Sequence, residues 1–130
     1  MRITVLFALF ALVAADMMYY QSPNDHLDID ALLANHEELL SYLDCFEDKA
    51  PCSELLAAYK KNIPEAVMTA CRWCNPNQRY LFWKFLQGLK AFYPMEYWNF
   101  RHFYDPEDKY FEPLVQEISK YTQPDMDIIM

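Results

Sequence analysis

The sequence predicts an all-α chain of about six short helices, and three observations carry that reading. Apolar residues recur at spacings of three and four along most of the chain, the period of one helical face. The 130 residues include a single Gly, which leaves few positions for the tight turns of β-hairpins. Pro and Asn, among them Asn35, Pro51, Asn75-Pro76, Pro94 and Pro106, fall between the apolar stripes and mark short connections. The length suits one domain, and no internal repeat, linker or low-complexity tract divides it. A hydrophobic content of 54% excludes a disordered chain. The formal charge of −8, from 19 acids against 11 bases, argues against a nucleic-acid partner.

Residues 1–15, MRITVLFALFALVAA, read as a secretory signal segment. Arg2 is the short positive region, and an apolar run broken only by Thr4 follows. Val13 and Ala15 place small side chains at −3 and −1, so cleavage is expected before Asp16. The run is too short for a core of about 30 Å, and no later stretch approaches the roughly 20 apolar residues of a span. No stable membrane insertion is therefore expected. The cysteines are expected in an oxidising, extracellular compartment. Residues 16–27, with Pro23 and no helical period, read as an extended arm. Its Met17, Met18, Tyr19 and Tyr20 are apolar enough to need a docking surface.

A helical domain is expected over residues 28–121. Asp28 is an N-cap for Ile29, Leu32 and Leu33. Asn35 ends that helix and caps the next, where Glu37 and Glu38 sit in a first turn that favours acids. Leu39, Leu40, Leu43 and Phe46 form its stripe, with Tyr42 at the edge. Ser53 caps a helix carrying Leu55, Leu56 and Tyr59, which Lys60 and Lys61 suit as an end. Pro64 is expected to open a new helix, with Ala66, Val67, Ala70, Cys71 and Cys74 on one side. The longest candidate, residues 77–93, carries Leu81, Phe82, Phe85, Leu86, Leu89 and Phe92 and is expected to be buried over more than half its girth. Pro94 restarts the chain into a helix ending at Asp105-Pro106. Residues 107–121 read as weakly amphipathic and interrupted by Pro113, and residues 122–130 as a loose tail.

Cys45, Cys52, Cys71 and Cys74 have the spacing C-x6-C-x18-C-x2-C, and four cysteines allow three pairings. Local pairing is the physical favourite. Cys71 and Cys74, at i and i+3 near an expected helix end, lie about 5–6 Å apart, within bridging range. Each local bridge closes a small loop and contributes about 2 kcal/mol. Zinc fits poorly, because C-x6-C is the wrong half of a paired-knuckle site. Redox chemistry fits poorly as well, because a reactive CxxC opens a helix after a strand and no strand pattern precedes Cys71.

This spacing, in an acidic helical chain with a signal segment, resembles the insect chemosensory protein family (OS-D-like). The resemblance runs from about Tyr20 to Leu114. It includes Leu27-Asp28-Ile29-Asp30-Ala31-Leu32-Leu33, and Leu39 to Cys45 with Tyr42 three before the first Cys. It also includes Lys60 to Val67, Gln78 after the CxxC, and the turn Tyr104-Asp105-Pro106. The chain departs from the family pattern at Ala50-Pro51, where a Gly is usual, and at Ser53-Glu54-Leu55-Leu56. Tyr97 and Tyr110 stand where Trp is frequent, and residues 80–93 are unusually rich in rings.

The resemblance implies six helices around an internal hydrophobic channel, with bridges Cys45–Cys52 and Cys71–Cys74. It implies reversible binding of small hydrophobic ligands such as long-chain fatty acids, alcohols, esters and semiochemicals. With three Trp, ten Tyr and nine Phe, the chain holds more rings than a small core needs, and stiff rings on short helices pack imperfectly around a void. The side chains expected against a ligand are Leu39, Tyr42, Leu43, Phe46, Val67, Phe82, Phe85, Leu86, Leu89, Tyr97 and Trp98, with the Tyr42 hydroxyl orienting a polar head. Lys60 and Lys61 either complement a helix end or anchor a ligand carboxylate. No cofactor, metal or enzymatic activity is expected. His36 and His102 fall on solvent faces, His26 falls in the arm, and no nucleophile or phosphate-loop motif occurs. The expected protein is a secreted monomeric carrier. The competing reading is a secreted interaction or structural protein of development, cuticle or defence, without a ligand cavity.

Overall fold

The structure, a computed structural model, describes residues 19–20 and 27–122. The expected signal segment, most of the arm with His26, and the tail from residue 123 lie outside the described residues. Among the described residues six helices run in order: α1 Ile29–Ala34, α2 His36–Phe46, α3 Glu54–Met68, α4 Pro76–Phe92, α5 Pro94–Tyr104 and α6 Phe111–Ile118. No strand occurs among the described residues.

The helix starts follow from side-chain chemistry. The Asp28 carboxylate accepts the Ala31 N–H at 3.0 Å, and the Asn35 Oδ1 accepts that of Glu38 at 3.1 Å. Ser53 Oγ accepts the Leu56 N–H at 3.2 Å. Asn75 and Gln78 form a reciprocal capping box at 2.8 and 2.9 Å, with Pro76 in the first helical position.

Three expectations are corrected. Pro64 does not open a helix, because α3 runs through it from Glu54 to Met68. A proline inside a helix costs about 3 kcal/mol. Here Pro64 is exposed, while Tyr59, Ile63, Ala66 and Val67 on either side of it pack into one core and hold the helix continuous. Cys71 and Cys74 do not lie on a helix face. The helix stops at Met68, and Ala70 and Cys71 adopt left-handed φ values of 54° and 61°. The Cys71 N–H then turns back to the Ala66 carbonyl at 2.8 Å. Pro113 does not interrupt α6. It falls in the first turn, where its missing N–H has no helical acceptor to lose. Phe111, Leu114 and Ile118 then bury one full side of α6.

The bridges are Cys45–Cys52 and Cys71–Cys74, with Cα atoms 5.0 and 5.1 Å apart. Each clamps one corner, the first between α2 and α3 and the second between α3 and α4. α4 packs against α1, α5 and α6, and α3 packs against α2, α5 and α6. From residue 76 to residue 89 no side chain of α4 is exposed. Phe92, expected to extend its stripe, is 71% exposed beyond that covered stretch. The one glycine, Gly88, lets α1 approach: a Cβ there would stand 2.2 Å from Leu33 Cδ1. Tyr93 Oη ties the same contact by donating to the Leu33 carbonyl at 2.9 Å.

Candidate ligand cavity

Helices of different length cannot all bury their apolar faces on one another, and the unfilled space collects on one side of α4. A cavity of about 130 Å³ lies there. Ile29 and Leu32 of α1 close one end, with Leu27 just before them. Tyr42 and Phe46 of α2 face Tyr59, Asn62, Ile63 and Ala66 of α3. α4 supplies Gln78, Leu81, Phe82 and Phe85, and Phe100 of α5 forms part of the floor. Cys74 carries the second disulfide into the wall. A water-sized group takes roughly 10–15 Å³ on this scale, so the void holds on the order of ten such groups.

The walls are nearly all carbon, and among the described residues none that lines them is Asp, Glu, Lys, Arg or His. The polar groups are three tyrosines, Asn62 and Gln78. Gln78 is engaged: its Oε1 accepts the Asn75 N–H, and its Nε2 donates to the Tyr20 carbonyl at 2.9 Å. Asn62 Nδ2 donates to the Ala58 carbonyl at 3.4 Å.

Tyr20, with Leu27 one of two described arm residues on the cavity wall, is tied at three points. Its N–H donates to the Trp73 carbonyl at 3.0 Å, its carbonyl accepts from Gln78, and its hydroxyl donates to Glu65 Oε1 at 2.8 Å. Burial, then the Glu65 hydrogen bond and charge, push the Tyr20 hydroxyl far above the ordinary tyrosine range. Burial, then the charge of Glu38, raise Tyr42 as well. Both hydroxyls keep their protons through neutral pH.

The structure brings together Tyr42, Phe46, Phe82 and Phe85 of the expected ligand residues on the cavity wall. It places Leu39, Leu43, Val67, Leu86 and Leu89 in the close-packed core, away from the wall. Tyr97 is buried in the core and not on the cavity wall, edge-on to Phe111 and 3.4 Å from an Arg101 nitrogen. Trp98 is 55% exposed and borders a separate surface hollow with Glu47 and Phe103. Helical period identifies inward residues, but it does not say which of them border the void. Lys60 pairs with Asp48 and Lys61 is exposed, so neither enters the cavity.

The α3 wall went unread in the sequence because the expected break at Lys60-Lys61 divided it. Across a continuous helix, Tyr59, Asn62, Ile63 and Ala66 share one face at spacings of three, four and seven. Ile29 and Leu32 were legible as a stripe, and Tyr20 as an apolar arm residue needing a surface.

Residues 20–112 match the insect pheromone-binding family, A10/OS-D. Among curated proteins, the putative odorant-binding protein A10 of Drosophila melanogaster is 31% identical over 91 residues, which cover 70% of this chain and 59% of that protein. The chain thus spans under two thirds of that relative's length. The ejaculatory bulb-specific protein 3 of Drosophila melanogaster is 29% identical over 99 residues, 76% of this chain and 78% of that one. A solved chemosensory protein in complex with bromo-dodecanol shares the fold, with a TM-score of 0.68 at 22% identity, over 75% of this chain and 97% of that one.

Proposed function

This chain belongs to the insect pheromone-binding family A10/OS-D, and on that footing we propose that it is a secreted carrier that takes up and releases small hydrophobic ligands. The observation that carries the reading is the carbon-walled cavity of about 130 Å³ between α1, α2, α3 and α4. A twelve-carbon tail offers about 0.8 kcal/mol per buried CH₂, about 9 kcal/mol gross. Lost freedom consumes several kcal/mol of that, which leaves micromolar affinity. One methylene more or less discriminates weakly, so selectivity by length is broad. Tyr42, half-buried on the wall, orients an oxygen head group. The bromo-dodecanol bound by the structural relative is a ligand of this kind. The signal-like residues 1–15 and two formed disulfides support an extracellular site of action. Among the described residues no helix is long and apolar enough to cross a membrane.

The test is displacement of a fluorescent apolar probe by C12–C18 alcohols and esters. Saturable displacement in the micromolar range is expected, and its absence below about 100 µM ends the carrier reading. A second reading, a secreted interaction protein, draws on the exposed apolar residues Phe92, Met95, Trp98 and Phe103. An apolar face without a binding cavity would hold the probe loosely, with no saturable displacement by the alcohols and esters.

A further inference from the structure

We propose that the cavity sorts its ligands by head-group charge, admitting neutral long-chain molecules and disfavouring ionised carboxylates through two acids, Glu38 and Glu65, at its edge. The inference rests on the carrier reading and narrows its ligand class. Three observations lead to it.

First, the wall offers an anion no counter-charge. Among the described residues no lysine, arginine or histidine lines it, and the carboxamides there, Asn62 and Gln78, already donate to the Ala58 and Tyr20 carbonyls. A charge taken from water into such a wall loses its hydration and gains at most a tyrosine hydroxyl, with no cation to pair with.

Second, three cations of α3 and α4 are engaged elsewhere, and Lys61 of α3 is exposed and outside the cavity lining. Lys60 pairs with Asp48, and Lys84 holds Asp30 at 2.7 Å. Arg79 donates to the Cys74 carbonyl and to Tyr121 Oη, and lies 3.6 Å from Glu117.

Third, carboxylates stand beside two of the half-buried tyrosines that line the cavity. Glu65 Oε1 accepts the Tyr20 hydroxyl at 2.8 Å. Glu38 lies one turn before Tyr42 on α2, and its charge acts on that hydroxyl. An ionised head left at this edge, with only its tail inside, meets like charge. An alcohol or ester head meets hydroxyls that donate and accept, with no charge to repel it.

The experiment compares dodecan-1-ol, dodecyl acetate and sodium dodecanoate, all below their aggregation limits, as competitors of N-phenyl-1-naphthylamine at pH 7.5. The protein is tested with its native side chains and as the double variant E38Q/E65Q, in which Gln at position 65 still accepts from Tyr20. The alcohol and ester are expected to bind at least tenfold more tightly than dodecanoate. In the double variant that gap is expected to shrink at least threefold, with alcohol binding unchanged. Equal binding of alcohol and carboxylate overturns the inference and leaves the carrier reading standing. A gap that the double variant does not narrow overturns the role of Glu38 and Glu65. Failure of all three ligands and the probe to bind overturns the carrier reading itself and the inference with it.

Discussion

The Asp105 carboxylate accepts the backbone N–H of Phe111 at 2.8 Å, joining the end of α5 to the first residue of α6. The same carboxylate accepts the N–H groups of Lys109 and Tyr110 at 2.8 and 2.9 Å. Asp105 is 3% exposed, so the turn between these helices is organised around a buried charge. α6 has no side-chain cap of its own, and Asp105 takes that role from outside the helix.

Burial alone would raise the Asp105 carboxyl, but the three N–H donors and Arg101 outweigh it and hold it below the usual carboxylate range. A lowered folded value means that the carboxylate stabilises above the unfolded value of about 3.9 and that this contribution is lost as pH falls through the folded value. Asp105→Ala leaves several donors unpaired and is expected to lose about 2–3 kcal/mol at pH 7. Urea unfolding from pH 7 to pH 2 checks this, with the difference from the parent narrowing towards the acid end.

Gly88→Ala sets helix propensity against space. The methyl gains about 1 kcal/mol in the helix but drives into Leu33, and overpacking costs about 1–3 kcal/mol. Leu33 must turn away, loosening α1 beside the cavity. A net loss of about 1 kcal/mol is expected from thermal unfolding, relieved by combining it with Leu33→Ala. A net gain in stability would show that α1 is free to shift outwards.

Tyr20→Phe removes the hydroxyl bond to Glu65 but keeps the backbone ties to Trp73 and Gln78. Faster ligand release is expected, with a smaller effect on uptake, because the ring still fills the wall but is less firmly held. Stopped-flow probe displacement separates the two rates. Unchanged release would mean that Tyr20 does not restrain the exit.

Leu39→Ala and Phe82→Ala contrast core with wall. Leu39 is fully buried and away from the cavity, so its truncation is expected to cost about 2–5 kcal/mol while leaving the folded protein's ligand affinity within about twofold. Phe82 is half-buried on the wall, so its truncation is expected to cost less stability and to shift preference towards longer chains. Paired unfolding and chain-length titrations test the contrast.

The helix starts at Asp28, Asn35, Ser53 and Asn75-Pro76 were legible because capping is a local event, settled within four residues. Local pairing of the cysteines was legible for the same reason. The misreading at Pro64 has the opposite origin. Propensity opposes a proline there, and only the packing of Ile63, Ala66 and Val67 against other helices overrides it. The turn at Ala70-Cys71 was likewise hidden, since a left-handed φ is disfavoured at residues other than Gly and here accompanies the bridge from Cys71 to Cys74.

The residue order of this chain carries its helical class, its caps, its paired corners and its family, because each of these depends on neighbours a few positions apart or on a spacing of cysteines. Where the empty space lies is a different kind of fact. Leu39 and Tyr42 sit on one helix, three residues apart, yet one is sealed in the core and the other borders the cavity. That division is set by how the faces of α1, α3 and α4 meet α2, and no period within α2 contains it.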